Sequence, residues 1–236
     1  MRIADLVNKD ASLVSRRCWS DQTVYELEKR GIFARSWLFL GHESQIRQPG
    51  DFVQAYMCET PVILARGSDG GIHASINSCT HRGLPVCRAS HGNTKRFVCP
   101  YHSWSYTVEG DLVTIPQESE VQGKPDKSTL GLKRVPRVES WRGMVFGSFD
   151  EGIVSLEDYL GVLPEHFQRW TPESTYKALH IKKVLRCNWK LAHEAFIESY
   201  HTVATHPQLL PYTGDSQSQY DCFSDEISRT ITPMGV

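Results

Sequence analysis

Cys79 and His81 flank one residue, Cys99 and His102 flank two, and 17 residues separate the two pairs. Thiolate and imidazole are ligands for zinc and iron, so two short Cys/His pairs make a metal-ligand set. Two chemistries fit it. One is tetrahedral zinc with two sulfur and two nitrogen ligands. The other is a [2Fe–2S] centre in which two thiolates hold one iron and two imidazoles hold the other. Spacing alone does not separate them. Cys87 and His91 lie between the pairs and read as loop residues, because the outer four already complete a site. Cys18, Cys58, Cys187 and Cys222 have no ligand partners nearby in sequence and read as packing residues.

A second group lies in NWKLAHEAFIESYHTVATHPQ, residues 188–208, which carries Glu194, Glu198, His201 and His206. The pattern predicts a helix in which Glu194, Glu198 and His201, spaced four and then three apart, project from one face. His201 and His206 are five apart, roughly 140° around an ideal helix. They can share a metal only if the helix unwinds or ends after His201. Thr202, Val203 and Thr205 are β-branched and Pro207 disfavours helical geometry at His206, which supplies a reason for a break there. The spacing is not that of zinc proteases, whose histidines sit four apart. Taken alone, Glu194 and Glu198 also read as a solvated acidic stripe, and a histidine at a helix end as a cap. His42, His73, His166, His180 and His193 lack such company and receive no role.

The elements that must position these groups follow from the apolar pattern. SDQTVYELEKRGIF reads as a short helix, capped by Ser20 or Asp21 and stopped at Gly31. From Ser36 to about Phe149 come short β-forming runs, WLFLG, DFVQAYM, PVILARG, RFVCP, SYTVEG and GMVFGSF, punctuated by Gly, Asn, Asp and Pro. They predict a small antiparallel β-domain with long loops. SLEDYLGVLPEHFQRW then reads as helical with Pro164 interrupting it, YKALHIKKVLRC as a strand, and SRTITPMGV as a strand without the partners a sheet needs. The plan is α+β, with a β-domain set into an unfinished α+β domain.

Composition excludes several classes. The 236 residues are 40% hydrophobic and 22% charged, with 26 Lys plus Arg against 27 Asp plus Glu and a net charge of −1. No global field attracts nucleic acid or an anionic membrane. No run approaches the roughly 20 apolar residues that span a bilayer, and the N-terminus lacks the apolar stretch of a signal peptide. A cytoplasmic location is expected. Seven cysteines without an export signal argue against a disulfide framework.

CTHRG and CPYHSW resemble the two cluster-binding loops of Rieske proteins, and in particular of Rieske-type ring-hydroxylating oxygenases. Loop order, spacing and the neighbours Arg82, Gly83, Tyr101 and Trp104 carry the resemblance. It implies Cys79 and Cys99 on the inner iron of a Rieske [2Fe–2S] cluster and His81 and His102 on the outer one, at a potential of about −150 to +300 mV. NWKLAHEAFIESYHTVATH also resembles the same family's mononuclear iron motif. That implies His201 and His206 as two ligands of Fe(II) in a 2-His-1-carboxylate triad. It places Glu198 at the acidic position that links His102 of one subunit to His201 of the next, a position more often Asp. Ala195 stands where several relatives have Asn.

The implied architecture is an all-β Rieske domain inserted in an incomplete, helix-grip-like catalytic domain. Residues 1–38 would be the N-terminal helical part of the catalytic domain, 39–155 the Rieske domain and 156–236 the start of the catalytic domain. The family's third iron ligand falls past Val236, so the sequence reads as a fragment or a truncated gene product. Asp215, Asp221, Asp225 and Glu226 are nearby acids but not where the resemblance puts that ligand. The implied activity is that of a terminal oxygenase α subunit. It takes electrons from NAD(P)H through a flavin reductase, with or without a ferredoxin, and uses O2 to hydroxylate an aromatic or related apolar substrate. A head-to-tail homotrimer, with or without a β subunit, is also implied. Two rival readings stand beside it: a Rieske electron carrier without oxygenase activity, and a zinc-stabilised interaction protein.

Overall fold

The computed structural model describes residues 5–8, 10, 12–120, 123, 125–213 and 218–233. The chain divides into two compact units, one of Lys29–Tyr159 with Phe167–His180, the other of Met1–Glu28, Leu160–His166 and Ile181–Val236.

The first unit is built on strands. These are β1 (Leu38–His42), β2 (Asp51–Met57), β3 (Thr60–Arg66), β4 (Ile72–Ile76), β5 (His91–Asn93), β6 (Arg96–Val98), β7 (Ser105–Thr107), β8 (Leu112–Thr114), β9 (Arg137–Trp141) and β10 (Met144–Ser148). They form antiparallel sheets in the orders β4-β3-β2-β5, β6-β7-β8 and β1-β10-β9. Residues of β2 and β3 alternate between two cores. Phe52, Ile63 and Ala65 join Cys79, Cys99 and Tyr106 in one, while Val53, Val62 and Leu64 join Leu40, Ile46, Met57 and Val145 in the other. A strand covered on both faces has no solvent side, which is why PVILA is a continuous apolar run rather than an alternating one.

Strands β4, β5, β8 and β9 were not among the sequence-predicted runs. β5 is HGN with every residue exposed, so its place depends on backbone pairing with Asp51–Val53 and leaves no hydrophobic signature. Gly110 has φ +101, and a Cβ added there would meet Ser75 Oγ at 2.8 Å. Gly110→Ala is therefore expected to destabilise this unit by about 1–3 kcal/mol, read from the midpoint of chemical denaturation.

The second unit holds α1 (Arg17–Ser20) and most of α2 (Gln22–Gly31); between α3 (Leu156–Leu160) and the later elements it adds α4 (Leu163–His166). Asp21 accepts the Thr23 N–H at 2.9 Å, the cap expected for α2. The expected interruption at Pro164 lies earlier. The chain turns at Gly161, where φ is +51, and Pro164 sits in the first turn of α4, where a missing N–H costs nothing.

YKALHIKKVLRC is not a strand. No described strand pairs with it, and Leu179, Ile181 and Val184 are 75%, 79% and 92% exposed. Without a ladder partner an apolar β-forming run has nothing to satisfy its backbone. Helix α5 (Trp189–Ile197) begins where Asn188 accepts the Lys190 N–H at 3.0 Å. It is followed by α6 (Thr202–Thr205), β11 (Gln219–Cys222) and β12 (Ser228–Ile231). The last strand does have a partner, since β11 and β12 pair antiparallel from Gln219↔Ile231 to Cys222↔Ser228. Met234–Val236 of that predicted strand lie outside the described residues. Among the described residues no helix is long and apolar enough to cross a membrane.

Candidate metal centres

Cys79 follows β4 and Cys99 follows β6, and the two loops are built alike. Each cysteine N–H donates to the carbonyl five residues on, Cys79 to Leu84 at 2.9 Å and Cys99 to Trp104 at 2.8 Å. The N–H four residues on donates back to the cysteine carbonyl, from Gly83 at 2.7 Å and from Ser103 at 3.0 Å. That residue lies at positive φ in both loops, +77 at Gly83 and +58 at Ser103. Glycine adopts this conformation freely; at Ser103 it is strain held by the surrounding loop.

These loops sort the four candidate ligand side chains by depth. Cys79 and Cys99 are 3% and 2% exposed and belong to one core cluster, whereas His81 and His102 are exposed above them. The two imidazole centres lie 4.7 Å apart. Two imidazoles on one ion, each with its nitrogen about 2 Å from the metal, have ring centres about 4.5–5.5 Å apart, so the pair fits a shared ion. Trp104 stacks on His81 at 4.9 Å and Tyr101 on His102 at 3.8 Å, with the Arg82 guanidinium 5.5 Å from the Tyr101 ring centre. Aromatic faces thus fix both rings.

Below the loops, Tyr106 is fully buried, and its hydroxyl lies 3.1 Å from Cys79 Sγ. Thr80 N–H donates to the Tyr106 oxygen at 3.3 Å, and the Thr80 hydroxyl donates to Leu130 O at 2.7 Å. The Tyr106 proton is left for Cys79 Sγ or for Thr80 Oγ1, which is 3.0 Å away. Burial, then the neighbouring Cys79 sulfur, push the Tyr106 hydroxyl up to about 12, so it remains a donor.

The second group is arranged differently from the helical expectation. α5 ends at Ile197, Glu198 is extended (φ −134, ψ 157), and His201 is the N-cap of α6. The break therefore precedes His201, and Glu194, Glu198 and His201 share no helical face. A local reason is that the Glu198 carboxylate turns forward, accepting the His201 N–H at 3.1 Å and facing its ring Nδ1 at 2.5 Å, in competition with helix hydrogen bonds. That bond to His201 holds the Glu198 carboxyl below its ordinary range. With Nδ1 engaged, His201 offers Nε2 to a metal, an outer-shell carboxylate arrangement. His206 caps the far end of α6, and its ring centre lies 5.4 Å from that of His201, again the separation of two imidazoles on one ion. Glu194 is elsewhere, accepting the Trp19 Nε1–H at 3.1 Å.

The Rieske [2Fe-2S] domain family matches residues 36–134, and the ring hydroxylating alpha subunit (catalytic domain) family matches residues 165–232. The chain carries a Rieske [2Fe-2S] domain and a ring-hydroxylating α-subunit catalytic domain. It is 40% identical over 208 residues to the benzene 1,2-dioxygenase α subunit of Pseudomonas putida, covering 86% of this chain and 46% of the relative. With the biphenyl dioxygenase α subunit of Paraburkholderia xenovorans it shares 38% identity over 214 residues, covering 86% and 47%. Among solved structures, naphthalene 1,2-dioxygenase with indole bound in the active site matches with a TM-score of 0.81 and 37% identity, covering 87% of this chain and 47% of that one. A quaternary ammonium Rieske monooxygenase matches with a TM-score of 0.80 and 26% identity, covering 88% and 58%. The chain spans about half the length of the relatives it matches.

The oxygenase α subunits carry a Rieske [2Fe–2S] cluster and a mononuclear Fe(II). Buried thiols beneath two adjacent exposed imidazoles fit the cluster's unequal irons. Among the described residues no group of three or more His, Cys, Asp or Glu converges on one point. A Rieske cluster does not need one, since each iron takes two protein ligands. A facial triad does, and beside the candidate pair His201 and His206 no carboxylate converges among the described residues. Asp221 is engaged by Arg229, whose Nε lies 2.9 Å away, and Asp215 lies outside the described residues.

Cys187 and Cys222 are exposed rather than packing residues, while Cys87 is buried with its N–H on Asn77 Oδ1 at 3.0 Å. Tyr106 and Thr80 were not singled out in the sequence. The signal available was the place of Tyr106 in the β-forming run SYTVEG, which pairs it with Phe97. Potentials of such clusters respond to hydrogen bonds at their sulfurs. With a cluster bound, Tyr106→Phe is expected to lower its midpoint by on the order of 50 mV, because the lost donor favours the reduced, more negative state. Redox titration followed by optical absorption checks it, and an unmoved midpoint would show that the proton serves Thr80 instead.

Proposed function

We propose that this chain is the metal-binding part of a terminal oxygenase, in which Cys79, His81, Cys99 and His102 hold the [2Fe–2S] cluster and His201 and His206 hold the mononuclear iron. The chemistry these groups supply when bound is one-electron transfer and activation of O2 for hydroxylation of an aromatic or related apolar substrate. The chain's own residues bind and orient. Cys79 and Cys99 exclude water from one end of the cluster site, while His81 and His102 bring the other end to the surface, where an electron donor can approach. Glu198 fixes the His201 tautomer. The names of the relatives, benzene and biphenyl dioxygenases, support an aromatic substrate class. A ferredoxin or flavin reductase as electron donor, a head-to-tail homotrimer and the link from Glu198 to a neighbouring subunit belong to the same proposal.

The observation that carries the reading is the pair of imidazoles 4.7 Å apart above two buried thiols. A second reading, an electron carrier without oxygenase activity, is favoured by the missing carboxylate among the described residues. Iron, zinc and acid-labile sulfide per chain, measured on protein purified without oxygen, separate the readings. Two irons with two sulfides and no further iron support the carrier, and iron in excess of sulfide supports the oxygenase site. Zinc without sulfide would overturn both.

A further inference from the structure

The break between α5 and α6 decides whether His201 and His206 can converge, and the β11–β12 hairpin grips that break from outside. Thr230 Oγ1 donates to Ile197 O at 2.7 Å, satisfying a terminal carbonyl of α5 that a continuing helix would have used. The Ser199 N–H, the donor just past extended Glu198, goes to the Tyr220 hydroxyl oxygen at 3.3 Å. Ser199 itself is 8% exposed, and its hydroxyl sits 3.1 Å from Tyr220 Oη and 2.7 Å from Ser218 Oγ, which in turn lies 3.0 Å from Thr232 Oγ1. Three hydroxyls from the hairpin and its flank, those of Ser218, Tyr220 and Thr230, thus meet the break at Ile197 and Ser199, and Thr232 backs Ser218. These partners are 19 to 33 residues away in sequence, apart from the link between Ser218 and Thr232.

We propose that the hairpin is a splint for this break, and that Tyr220 and Thr230 are positioning residues for the His201/His206 pair. The proposal rests on the reading of those histidines as a metal pair. Without the splint, Ile197 O and the Ser199 N–H lose their partners, and the segment from Trp189 to Thr205 is free to form further helical turns. Continuous helix would turn the two rings roughly 140° apart. The hairpin therefore supplies from outside what the local β-branched residues do not: Thr202, Val203 and Thr205 lie inside α6 rather than at the break.

The test uses the whole chain with its cluster and the double substitution Tyr220→Phe with Thr230→Val, which removes two hydroxyls and little volume. Hydrogen exchange at the Ser199 amide is expected to accelerate at least about tenfold. Affinity for Co(II), followed by its absorption as a stand-in for Fe(II), is expected to fall about tenfold, with the cluster spectrum unchanged. Thr230→Ser, which keeps the hydroxyl, is expected to behave as the parent in both measurements. Parent exchange rates in the double variant would overturn the splint, and parent Co(II) affinity would overturn the positioning role. If His201→Ala leaves Co(II) binding of the parent untouched, the metal-pair reading fails and the positioning role falls with it. The exchange measurement then decides the splint on its own.

Discussion

Cys99→Ala is expected to leave the chain with neither cluster iron nor acid-labile sulfide. Cys99 supplies one of two thiolates to the inner iron under the assignment above, and three remaining ligands leave that iron with a single protein bond. The effect extends beyond colour. Cys79, Cys99 and Tyr106 share a core with Phe52, Ile63 and Phe97, so a cluster held by the two thiols would be anchored in that core. Metal bound only by the folded state adds its binding free energy to folding. The variant is therefore expected to lose its visible absorption and to unfold at lower denaturant than the parent. Retained sulfide in Cys99→Ala would remove this residue from the ligand set. Cys87→Ala is the control, since that thiol is also buried but faces Ala89 O at 3.4 Å and Gln54 Nε2 at 3.8 Å; it is expected to keep the cluster.

Alanine at either His201 or His206 is expected to abolish iron bound in excess of sulfide while leaving the cluster's spectrum intact. Each ring has one role in the proposed site, and the site has few donors to lose. Loss of a ligand should exceed the roughly 10–100-fold weakening typical of removing an outer-shell partner, and Glu198→Gln should fall within that range. The order is informative. Glu198 gives both carboxylate oxygens to His201, so its loss frees the ring tautomer without removing a metal bond. The cluster's reduction by a chemical electron donor should be unaffected in all three variants, because the cluster ligands are untouched. An iron excess that survives both alanine substitutions would place any third iron elsewhere in the chain.

Much of the first centre was legible because its ligands are close in sequence. CTH and CPYH are each set by one tight loop, and the positive φ at Gly83 and Ser103 belongs to those loops alone. The β-runs carrying Trp37, Val53, Ile63 and Val145 were legible for a related reason, since apolar side chains repeated on a strand report burial directly. Strands such as β5, and the unpaired course of YKALHIKKVLRC, were not. Both outcomes depend on whether a partner backbone lies alongside, which no residue within the segment encodes.

By itself the sequence determined the ligand types, the α+β class and the order of the two metal motifs, all of which reside in side-chain identity and short spacing. Tertiary structure decided which groups meet. It buried Cys79 and Cys99 under exposed His81 and His102, brought Tyr106 to the Cys79 sulfur, and moved the helix break ahead of His201. It also carried Glu194 away to Trp19. The physical reason is range. Helical periodicity sums preferences over a few neighbouring residues, while the end of α5 is settled by hydrogen bonds that include Tyr220 and Thr230, 21 and 33 residues away.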